Sequence, residues 1–473
     1  MSSIDQFLKS KLSSLTLIHE STVVYDINLD LHDKNSLLRN IQFWKNWLDE
    51  NNIKKIVIQE YLNLNTIALT YACLENNVAV YTCSKNQKAV EALSQKVDAV
   101  LLGNSCKNFF IKNNKKYFII DQLIQGAQIP EYNESIIDLD FLFLIGQTSG
   151  SSTGTPKEIK HTARTFIAAA KCCTFFYYPG QRFSAYPNLN HIGMAANMVL
   201  SPTLSGCKIY SISNILELVM FCKRGIIDTI GLFTNQANSL QKALTILKDH
   251  NVSYLSPNFE GVEILTGGAP LGPGLADWFF SNNGKRIRSM FGNNEVLMPV
   301  FVHDVYNQFE DFYKRKLGNP CPFVEYRIDD KNNLWLKTPS ISKYVDISSD
   351  GFYNTTDLVV SDNNELRYKG RKKINGRFIT DLHDSILKIV WKNQIEFDDY
   401  ILHHNSDTNK ILVISHKSSV LDSFNTLSSE IKKILLDFDC DPELETLQTD
   451  DTDGIKYVLQ DPNLIVFRNP QDY

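Results

Sequence analysis

The sequence predicts an α/β protein with a large N-terminal domain and a small α+β C-terminal domain. Between residues 55 and 103, short apolar runs typical of strands alternate with segments whose apolar residues recur at helical spacing. Such alternation with short connections is typical of an open parallel sheet with helices on both faces. Residues 326–370 differ, because Asp and Asn turn residues there separate short alternating strands, which predicts two β-hairpins. The large domain therefore combines parallel-rich sheets with a β-rich subdomain.

Each predicted element follows from its own local pattern. The predicted strands are 55–61, 78–83, 98–103, 141–145, 226–233 and 262–268, and the hairpins span 326–337 and 358–370. The predicted helices are 66–75, 87–97, 162–178, 215–225 and 235–250. Beyond residue 370 the pattern predicts a strand pair at 400–416, one amphipathic helix at 427–438 and a final strand or two. We therefore predict a large domain of residues 1–369 and a small domain of residues 370–473.

Composition and charge argue against several classes of function. Lys and Arg number 48 and Asp and Glu 53, so the formal net charge is −5, and no basic stripe predicts a nucleic-acid partner. No apolar run approaches the roughly 18 residues that span a bilayer, and the N-terminus lacks the apolar segment of a secretory signal. The nine cysteines have no C-x-x-C spacing, which favours reduced thiols in a cytoplasmic protein.

A loop rich in glycine and hydroxyl residues follows the apolar run 141–145. Residues 146–162 read GQTSGSSTGTPKEIKHT, and we expect this loop to join a buried strand directly to the helix 162–178. Backbone N–H groups, hydroxyls and a lysine in such a loop are suited to holding phosphate groups, whereas a flexible surface linker is the alternative. The Walker pattern GxxxxGK[ST] is absent. The stretch TSGSSTGTPK instead resembles the ATP-phosphate loop of the adenylate-forming superfamily of acyl-CoA synthetases, aryl-acid ligases, adenylation domains and luciferases.

Five further segments resemble motifs of the same superfamily, in the same order along the chain. They are YPNLNHIGM (186–194) with the later Gly206, LTGGAPLGPGL (265–275), MFGNNEV (290–296), DGFYNTTDLV (350–359) and YKGRKKINGRFI (368–379). On this ordered set the chain is identified as a member of the superfamily. The resemblance implies a two-domain fold, ATP as co-substrate, Mg²⁺ as cofactor and the activation of a carboxylic acid as acyl-AMP.

The resemblance also implies a role for each matched residue. Glu295, a hard oxygen ligand, would bind Mg²⁺, Asp357 would accept hydrogen bonds from the ribose hydroxyls, and the ring of Phe291 would stack on adenine. The catalytic residues would be Glu295, Lys157 of the loop and Lys456 of the small domain. The small domain normally rotates to admit the acceptor, so we expect it to be mobile. The other predicted ATP-binding residues are Thr148, Ser149, Gly150, Ser151, Ser152, Thr153, Gly154, Gly267, Gly268, Ala269, Gly292, Asn293, Asn294 and, at the hinge, Arg371.

Four features depart from the superfamily pattern. The phosphate loop contains one extra serine, and the hinge stretch lacks the acidic pair that usually follows G-R. Asn294 replaces the usual threonine before Glu295, and Thr356 replaces the usual glycine before Asp357, which tightens that site sterically. The glutamate, the ribose aspartate and the phosphate loop all persist, which favours an enzyme over a non-catalytic nucleotide-binding homologue.

The segment 190–200 indicates which acid is activated. Adenylation domains for α-amino acids place an aspartate in the comparable segment, whereas NHIGMAANMVL contains no acidic residue. Burying an ammonium without a partner would cost on the order of several kcal/mol, so we expect an acyl or aryl acid and not a free α-amino acid. The predicted pocket residues are His191, Gly193, Ala196 and Phe233.

The acceptor of the acyl group is less constrained by the sequence. No carrier domain with a phosphopantetheine serine follows, so the expected acceptor is a thiol, either CoA or a carrier protein supplied in trans. An amine acceptor, which would give an amide, is an alternative to the thiol. A non-catalytic nucleotide-binding protein is the alternative to an enzyme.

Overall fold

The structure is a computed structural model that describes most of the chain. The described ranges are 2–26, 28–82, 87–103, 117–147, 158–186, 192–212, 215–234, 258–268, 273–305, 315–362, 365–371, 401–405, 410–415, 418–438, 444–448 and 465–466, with short stretches between 236 and 244 and between 373 and 389 and the single residue Cys440. Within these ranges, no helix is long and apolar enough to cross a membrane.

Strands and helices are numbered in chain order. The strands are β1 (Val23–Tyr25), β2 (Leu31–His32), β3 (Lys55–Gln59), β4 (Ala79–Tyr81), β5 (Ala99–Leu102), β6 (Tyr117–Ile119), β7 (Leu142–Gln147), β8 (Glu158–Thr162), β9 (Arg182–Ala185), β10 (Lys208–Tyr210), β11 (Thr229–Phe233), β12 (Glu263–Gly267), β13 (Arg286–Gly292), β14 (Pro299–Val305), β15 (Asn319–Pro320), β16 (Glu325–Ile328), β17 (Asn333–Lys337), β18 (Tyr353–Asp362), β19 (Glu365–Tyr368), β20 (Lys373–Ile374), β21 (Arg377–Phe378), β22 (Ile401–Asn405), β23 (Lys410–Ser415), β24 (Leu444–Gln448) and β25 (Ile465–Val466). The helices are α1 (Ser2–Leu8), α2 (Ser14–Leu17), α3 (Lys34–Glu50), α4 (Leu64–Glu75), α5 (Gln87–Ser94), α6 (Ile120–Ile124), α7 (Ala163–Cys173), α8 (Ile192–Met194), α9 (Ser201–Ser205), α10 (Ile215–Lys223), α11 (Pro273–Ser281), α12 (Ser418–Thr426) and α13 (Ser428–Asp437), with a 3₁₀ turn at Thr174–Phe176 and a π-helical turn at Ala195–Leu200.

One sheet of six described strands has the order β6-β5-β3-β4-β7-β8. Its first five strands are parallel neighbours, and β8 runs antiparallel to β7. The central strands are apolar because helices cover the sheet, and α4 is buried along nearly its whole length. The parallel sheet predicted from residues 55–145 is therefore confirmed.

A second sheet of nine described strands has the order β15-β14-β13-β12-β11-β9-β10-β1-β2. The six strands from β13 to β1 in this order are all parallel, and antiparallel strands lie at both edges. The carboxyl ends of the parallel strands therefore form one continuous edge, which is where open α/β sheets bind their ligands.

The β-rich subdomain is an antiparallel sheet of described order β16-β17-β18-β19. Strands β16 and β17 pair around the turn at residues 329–332, and β18 pairs with β19. Both hairpins expected from the Asp/Asn turns are confirmed. This sheet places Asp357 within its long strand β18.

The C-terminal part is an α+β unit. Strands β22 and β23 form the expected antiparallel pair, β24 adds in parallel to β23, and β25 pairs with β22. The predicted helix at 427–438 is present as α13, but a second helix, α12, precedes it and was not predicted. The domain boundary at 369/370 stays a prediction.

The loop between residues 147 and 158 joins two strands, so the expected direct passage from strand to helix is wrong. Gln147 of β7 pairs with Glu158 of β8, and helix α7 begins only at Ala163, after the N-cap residue Thr162. The physical reason is that more exposed and buried side chains alternate at the start of residues 158–162, where Ile159 and His161 are buried. A period of two favours a strand over a helix.

Candidate active site

Neighbouring strand ends bring together residues predicted to bind the nucleotide and the acid. Phe233 pairs with Gly267 in the parallel register of β11 and β12, and Gly267 pairs with Met290 of β13. Phe291 and Gly292 follow directly on the same edge. The expected pocket residue and the expected adenine-binding residues therefore meet at one edge of the nine-stranded sheet.

Close backbone approach requires two of the predicted glycines. A Cβ at Gly267 would lie 2.7 Å from the backbone oxygen of Met290, and a Cβ at Gly292 would lie 2.5 Å from that of Met298. Gly268 has φ +90°, a conformation that L side chains rarely adopt. Larger residues would therefore push the strand ends apart at the edge where adenine is expected.

The ring of Phe291 is half-buried on this edge. Its centroid lies 5.5 Å from the ring centroid of Tyr368, at an interplanar angle of 49°. Asn293 lies two positions further along the chain, and its buried Oδ1 is a hydrogen-bond acceptor without a partner. A buried amide oxygen without a donor is rare in folded proteins, and it indicates where a ligand donor fits.

Asp357 and Arg371 form an ion pair close to these strand ends. Asp357 is 2% exposed, and Arg371 donates a hydrogen bond from Nε to its Oδ1 at 2.8 Å. Burial raises the pKa of Asp357 above its usual value, although the guanidinium opposes this effect. Asp357 in turn raises the pKa of Arg371. Because Arg371 follows β19 and precedes the C-terminal unit, the ion pair links the large domain to the predicted hinge.

Glu295 belongs to the same electrostatic cluster. Burial raises its pKa, Asp357 adds to this effect, and Arg371 and a hydrogen bond from the Tyr353 hydroxyl oppose it. Burial also raises the pKa of Tyr353, with Glu295 as the next cause. Tyr353 is a site residue that was not predicted, although it lies in the motif at 350–359. A tyrosine in a strand is usually an ordinary packing residue, so its type alone gives no signal for this contact.

Three hydrogen bonds, two of them made by Ser342, tie strand β8 to the segment that carries Glu295. His161, which is fully buried, bonds through Nε2 to the backbone oxygen of Asn294 at 2.8 Å. Because a carbonyl only accepts, Nε2 carries the proton. Ser342 bridges the same two segments, since its Oγ donates to the Lys160 oxygen at 2.6 Å and its N–H donates to the Glu295 oxygen at 2.8 Å.

His161 remains neutral because of its surroundings. Burial lowers its pKa from 6.5 to about 4, and the hydrogen bond to Asn294 opposes this shift only in part. Its Nδ1 lies 3.3 Å from the Thr165 hydroxyl on α7. The only sequence signal for this role is a histidine on the buried face of β8, and that strand was not predicted.

Thr356 has a strained backbone next to Asp357, the aspartate that is predicted to hold the ribose. Its φ is +61°, and a β-branched residue is a genuine outlier in this left-handed region. The N–H of Thr356 donates to Oδ1 of Asn354 at 2.9 Å, which helps to hold the turn. The glycine that the superfamily pattern has at this position would adopt the same conformation without strain.

The predicted acid pocket is only partly described. Phe233 and Gly193 are half-buried, whereas Ala196 is fully buried in the hydrophobic core. Asn197, on the same π-helical turn, accepts a hydrogen bond from the Cys173 thiol at 2.6 Å. The pocket-lining role of these residues stays a prediction.

Several predicted site residues lie outside the described residues, and their roles stay predictions. They are Thr148, Ser149, Gly150, Ser151, Ser152, Thr153, Gly154, Lys157, His191, Ala269 and Lys456.

The chain belongs to the AMP-binding enzyme family, whose model matches residues 62–339, more than half of its length. No curated protein matches the chain in sequence. The matched segment includes the strand ends predicted to bind the nucleotide and Glu295, and it ends before Asp357 and Arg371. The superfamily inferred from the ordered motifs is therefore confirmed.

Solved structures share the two-domain architecture at low sequence identity. The McyG A-PCP protein complexed with phenylalanyl-adenylate superposes with a TM-score of 0.70 at 16% identity, covering 93% of this chain and 80% of that one. Wild-type MenE from E. coli, with a bound phenylether-linked analogue of OSB-AMS, gives 0.64 at 15% identity, covering 93% and 96%. The amide bond synthetase McbA from Marinactinospora thermotolerans gives 0.68 at 13% identity, covering 94% and 98%. These likenesses confirm the predicted α/β fold class.

Proposed function

We propose that the protein uses ATP to activate an acyl or aryl carboxylic acid. In the proposed reaction a carboxylate oxygen attacks the α-phosphorus of ATP, the bond to the bridging oxygen of the β-phosphate breaks, and acyl-AMP and pyrophosphate form. A thiol then attacks the acyl carbon and displaces AMP. The observation that carries this proposal is the cluster of Asp357, Arg371 and Glu295 near the Phe291 ring.

The chemistry of each group supports nucleotide binding. The unpartnered Oδ1 of Asn293 fits the exocyclic amino group of adenine, whose face would lie on Phe291. The Asp357 carboxylate accepts hydrogen bonds and suits two ribose hydroxyls, while Arg371 fixes its orientation. Catalysis of phosphoryl attack is mostly positioning and charge stabilisation, so this rigid placement is the main contribution expected of the large domain.

Glu295 is the residue that fits Mg²⁺. The described residues contain no group of three His, Cys, Asp or Glu side chains that could form a metal cage by themselves. Mg²⁺ is usually held by one or two carboxylates together with substrate phosphates and water, so a single half-buried glutamate is sufficient. The ion would neutralise phosphate charge. The raised pKa of Glu295 is in line with a carboxylate whose cation is supplied by the ligand.

The uncharged pocket supports an acid without an α-ammonium group. The described part of the predicted segment, residues 192–200, contributes Asn197 as a buried polar side chain and no carboxylate. Asn197 is already engaged by the thiol of Cys173. An ammonium at this position would therefore lack a counter-charge from the segment.

An amine acceptor is the second candidate for the last step. The observation in its favour is that McbA, described as an amide bond synthetase, superposes with a TM-score of 0.68, compared with 0.64 for MenE. We keep CoA or a carrier protein in trans as the first candidate. The proposed Lys456 would act in the adenylation step with either acceptor.

ATP–pyrophosphate exchange tests the proposal. Fatty, aryl and amino acids are offered as separate pools with Mg²⁺ and labelled pyrophosphate. Exchange with a fatty or aryl pool is the expected result, and exchange with amino acids alone would overturn the substrate class. ATP binding without exchange in any pool would favour a non-catalytic nucleotide-binding protein. A second assay, with CoA or a primary amine added to the active pool and the product identified by mass spectrometry, separates thioester from amide formation.

A further inference from the structure

A cavity of about 850 Å³ is lined by residues outside the candidate active site. Its walls come from the carboxyl ends of β1, β3 and β10, from β2, from the starts of α3 and α4, and from α6. Tyr61, Ser211 and Ile212 line its inner part, and Arg39 lies at its exposed side. None of these residues belongs to the predicted nucleotide site.

The strand order places this cavity next to the predicted acid pocket. The parallel strands run β13-β12-β11-β9-β10-β1, so the ends of β10 and β1 continue the edge that carries the nucleotide and acid residues. Tyr186, at the end of β9, begins the acid-pocket motif, and Tyr61 stacks on it with ring centroids 5.2 Å apart. Because neighbouring strands are about 4.8 Å apart, the cavity lies roughly 10–15 Å from the strand ends where the acid would react.

Two polar atoms of the cavity residues lack hydrogen-bond partners. Ser211 is 2% exposed, and its Oγ forms no hydrogen bond. Nε2 of His32 is also buried without a hydrogen bond, although it lies 3.6 Å from Oδ2 of Asp26. Unsatisfied buried polar atoms are rare and destabilise the fold. A bound ligand with oxygen acceptors would satisfy each of these atoms that it reaches.

Arg39 supplies positive charge at the open side of the cavity. It forms no salt bridge with any residue that the structure describes. Its positive charge contributes to lowering the pKa of Asp33, but the Ser36 N–H is the main cause of that shift and donates to the Asp33 carboxylate at 2.8 Å. The Arg39 guanidinium is therefore available to an anionic ligand.

Two carboxylates of the lining are already engaged by backbone donors. Asp26 accepts from the N–H groups of Asn28 and Asp30. Glu60 accepts from the N–H of Tyr61 at 2.7 Å. These hydrogen bonds offset part of the negative charge that the two side chains bring to the cavity.

Asp121 is the third carboxyl of the lining, and it is exposed, as Arg39 is. The lining therefore combines three carboxyls with hydrogen-bond donors in its inner part and the cation of Arg39 at its exposed side.

We propose that this cavity binds the distal end of the acid and selects acids that carry a second oxygen acceptor, such as a carboxylate, about 10–15 Å beyond the reacting carboxyl. The inference rests on the proposed function, because it treats the ligand as the acid that is activated. The apolar body of the acid would lie across the stacked rings of Tyr61 and Tyr186.

The test compares straight-chain monocarboxylic acids with α,ω-dicarboxylic acids of matched length. ATP–pyrophosphate exchange gives kcat/KM for wild type, Arg39→Gln, Ser211→Ala and the control Arg224→Gln, which alters an exposed arginine elsewhere. Wild type is expected to prefer long dicarboxylic acids. Arg39→Gln should lower kcat/KM for those acids about tenfold or more, because a charge-assisted hydrogen bond is lost. Short acids should be unaffected. Ser211→Ala should act in the same direction.

Binding of the dicarboxylic acids, measured by calorimetry, separates the two proposals. If exchange is absent for every acid but binding depends on Arg39, the adenylation proposal fails and the cavity assignment stands. If exchange occurs and both cavity variants behave like Arg224→Gln with every acid, the cavity assignment is wrong. If calorimetry shows no binding of the dicarboxylic acids that depends on Arg39 or Ser211, the cavity assignment is wrong as well.

Discussion

The large domain contains two carboxylate clusters that differ in how fully their charges are compensated. Glu75 is completely buried and accepts a hydrogen bond from Lys45 Nζ at 2.7 Å. Its other oxygen accepts from the Ser14 N–H at 2.7 Å and the Tyr132 hydroxyl at 2.5 Å. Lys45 donates further to the backbone oxygen of Asn133 at 2.7 Å. This network joins α2, α3 and α4 to the segment before β7.

The cluster at the candidate active site is less complete. Asp357 is buried and Glu295 is half-buried, and the two carboxylates share the positive charge of Arg371, which lies 2.8 Å from Asp357. Burial raises the pKa of both carboxyls. The comparison indicates that a buried carboxylate whose two oxygens both have donors stabilises the fold, whereas carboxylates that share one cation can still accept hydrogen bonds from a ligand.

Breaking the complete network should have the largest effect. Lys45→Met leaves Glu75 buried without its cation, and we expect the free energy of unfolding to fall by about 3–5 kcal/mol. Urea denaturation measures this change. The control is Lys34→Met, which removes an ion pair whose partner Glu20 is largely exposed, and it should cost much less. Equal losses in the two variants would show that the buried pair of Lys45 and Glu75 stabilises the fold no more than the pair of Lys34 and the exposed Glu20 does.

Removing one charge from the incomplete cluster should affect ligand binding more than folding. Asp357→Asn keeps the shape of the side chain but removes the charge that holds Arg371 and would accept from ribose, and we expect ATP to bind about 10–100-fold more weakly. Calorimetry measures the affinity. Asp362→Asn, on the exposed end of the same strand, is the control. Unchanged affinity in Asp357→Asn would remove this residue from the nucleotide site.

Removing the hydrogen bond between His161 and Asn294 tests whether β8 helps to position Glu295. His161→Leu leaves a carbonyl without its donor, so we expect turnover to fall about tenfold with a higher Mg²⁺ requirement, while His161→Gln, which can still donate, should recover part of it. ATP–pyrophosphate exchange rates over a range of Mg²⁺ concentrations measure both the turnover and the Mg²⁺ requirement. Equal turnover in the Leu and Gln variants would show that the hydrogen bond has no positioning role.

His161 also predicts a pH dependence of stability. The pKa is about 4 in the folded protein and 6.5 in the unfolded chain, so the unfolded state binds a proton first as the pH falls. The contribution to stability is therefore present above pH 6.5 and is lost between 6.5 and about 4. Denaturation of His161→Gln over this range should show a weaker pH dependence than wild type.

Relieving strain at the ribose turn should have a smaller effect. Thr356→Gly removes a β-branched residue from φ +61°, and we expect a gain of about 1 kcal/mol after the entropy cost of glycine. Thermal unfolding measures the gain, and Thr355→Gly, at a buried position with ordinary φ, should instead destabilise. A loss of stability in Thr356→Gly would mean that the threonine makes contacts that outweigh its strain.

The smallest effect concerns the charge of Glu295. Since its pKa is raised in the folded protein, the folded state binds more protons than the unfolded chain just above pH 4.5, and stability falls as the pH rises through the folded pKa. Glu295→Gln should therefore be slightly more stable than wild type at pH 7, with no gain below pH 4.5, and yet be inactive. Equal stability at both pH values would contradict the raised pKa.

Much of this arrangement could be predicted from the sequence, because it depends on local patterns. Alternation of apolar runs predicted the parallel sheet, and Asp/Asn turns predicted the hairpins that place Asp357. Ordered motifs predicted the strand-end residues Gly267 and Phe291. What these patterns have in common is that each is read from residues that are close together in the sequence.

The remaining site residues depend on contacts between distant segments. His161 meets Asn294 across 133 positions, and Ser342 meets Lys160 across 182. Nothing near His161 in the sequence indicates that partner, and the alternation around it is too short to outweigh the helical pattern that follows. Tyr353 was missed for a related reason, because its partner Glu295 lies in another part of the fold.

The pairing of Gln147 with Glu158 has a consequence for the chain entropy of the proposed ATP binding by the residues between them. The two paired residues enclose ten loop positions, so the ladder of β7 and β8 has already fixed the ends of the loop before any nucleotide arrives. The entropy of closing the loop is spent in folding and does not weaken binding. Lengthening such a loop by one residue raises its closure cost by only about 0.1 kcal/mol. The additional serine is therefore nearly neutral in energy.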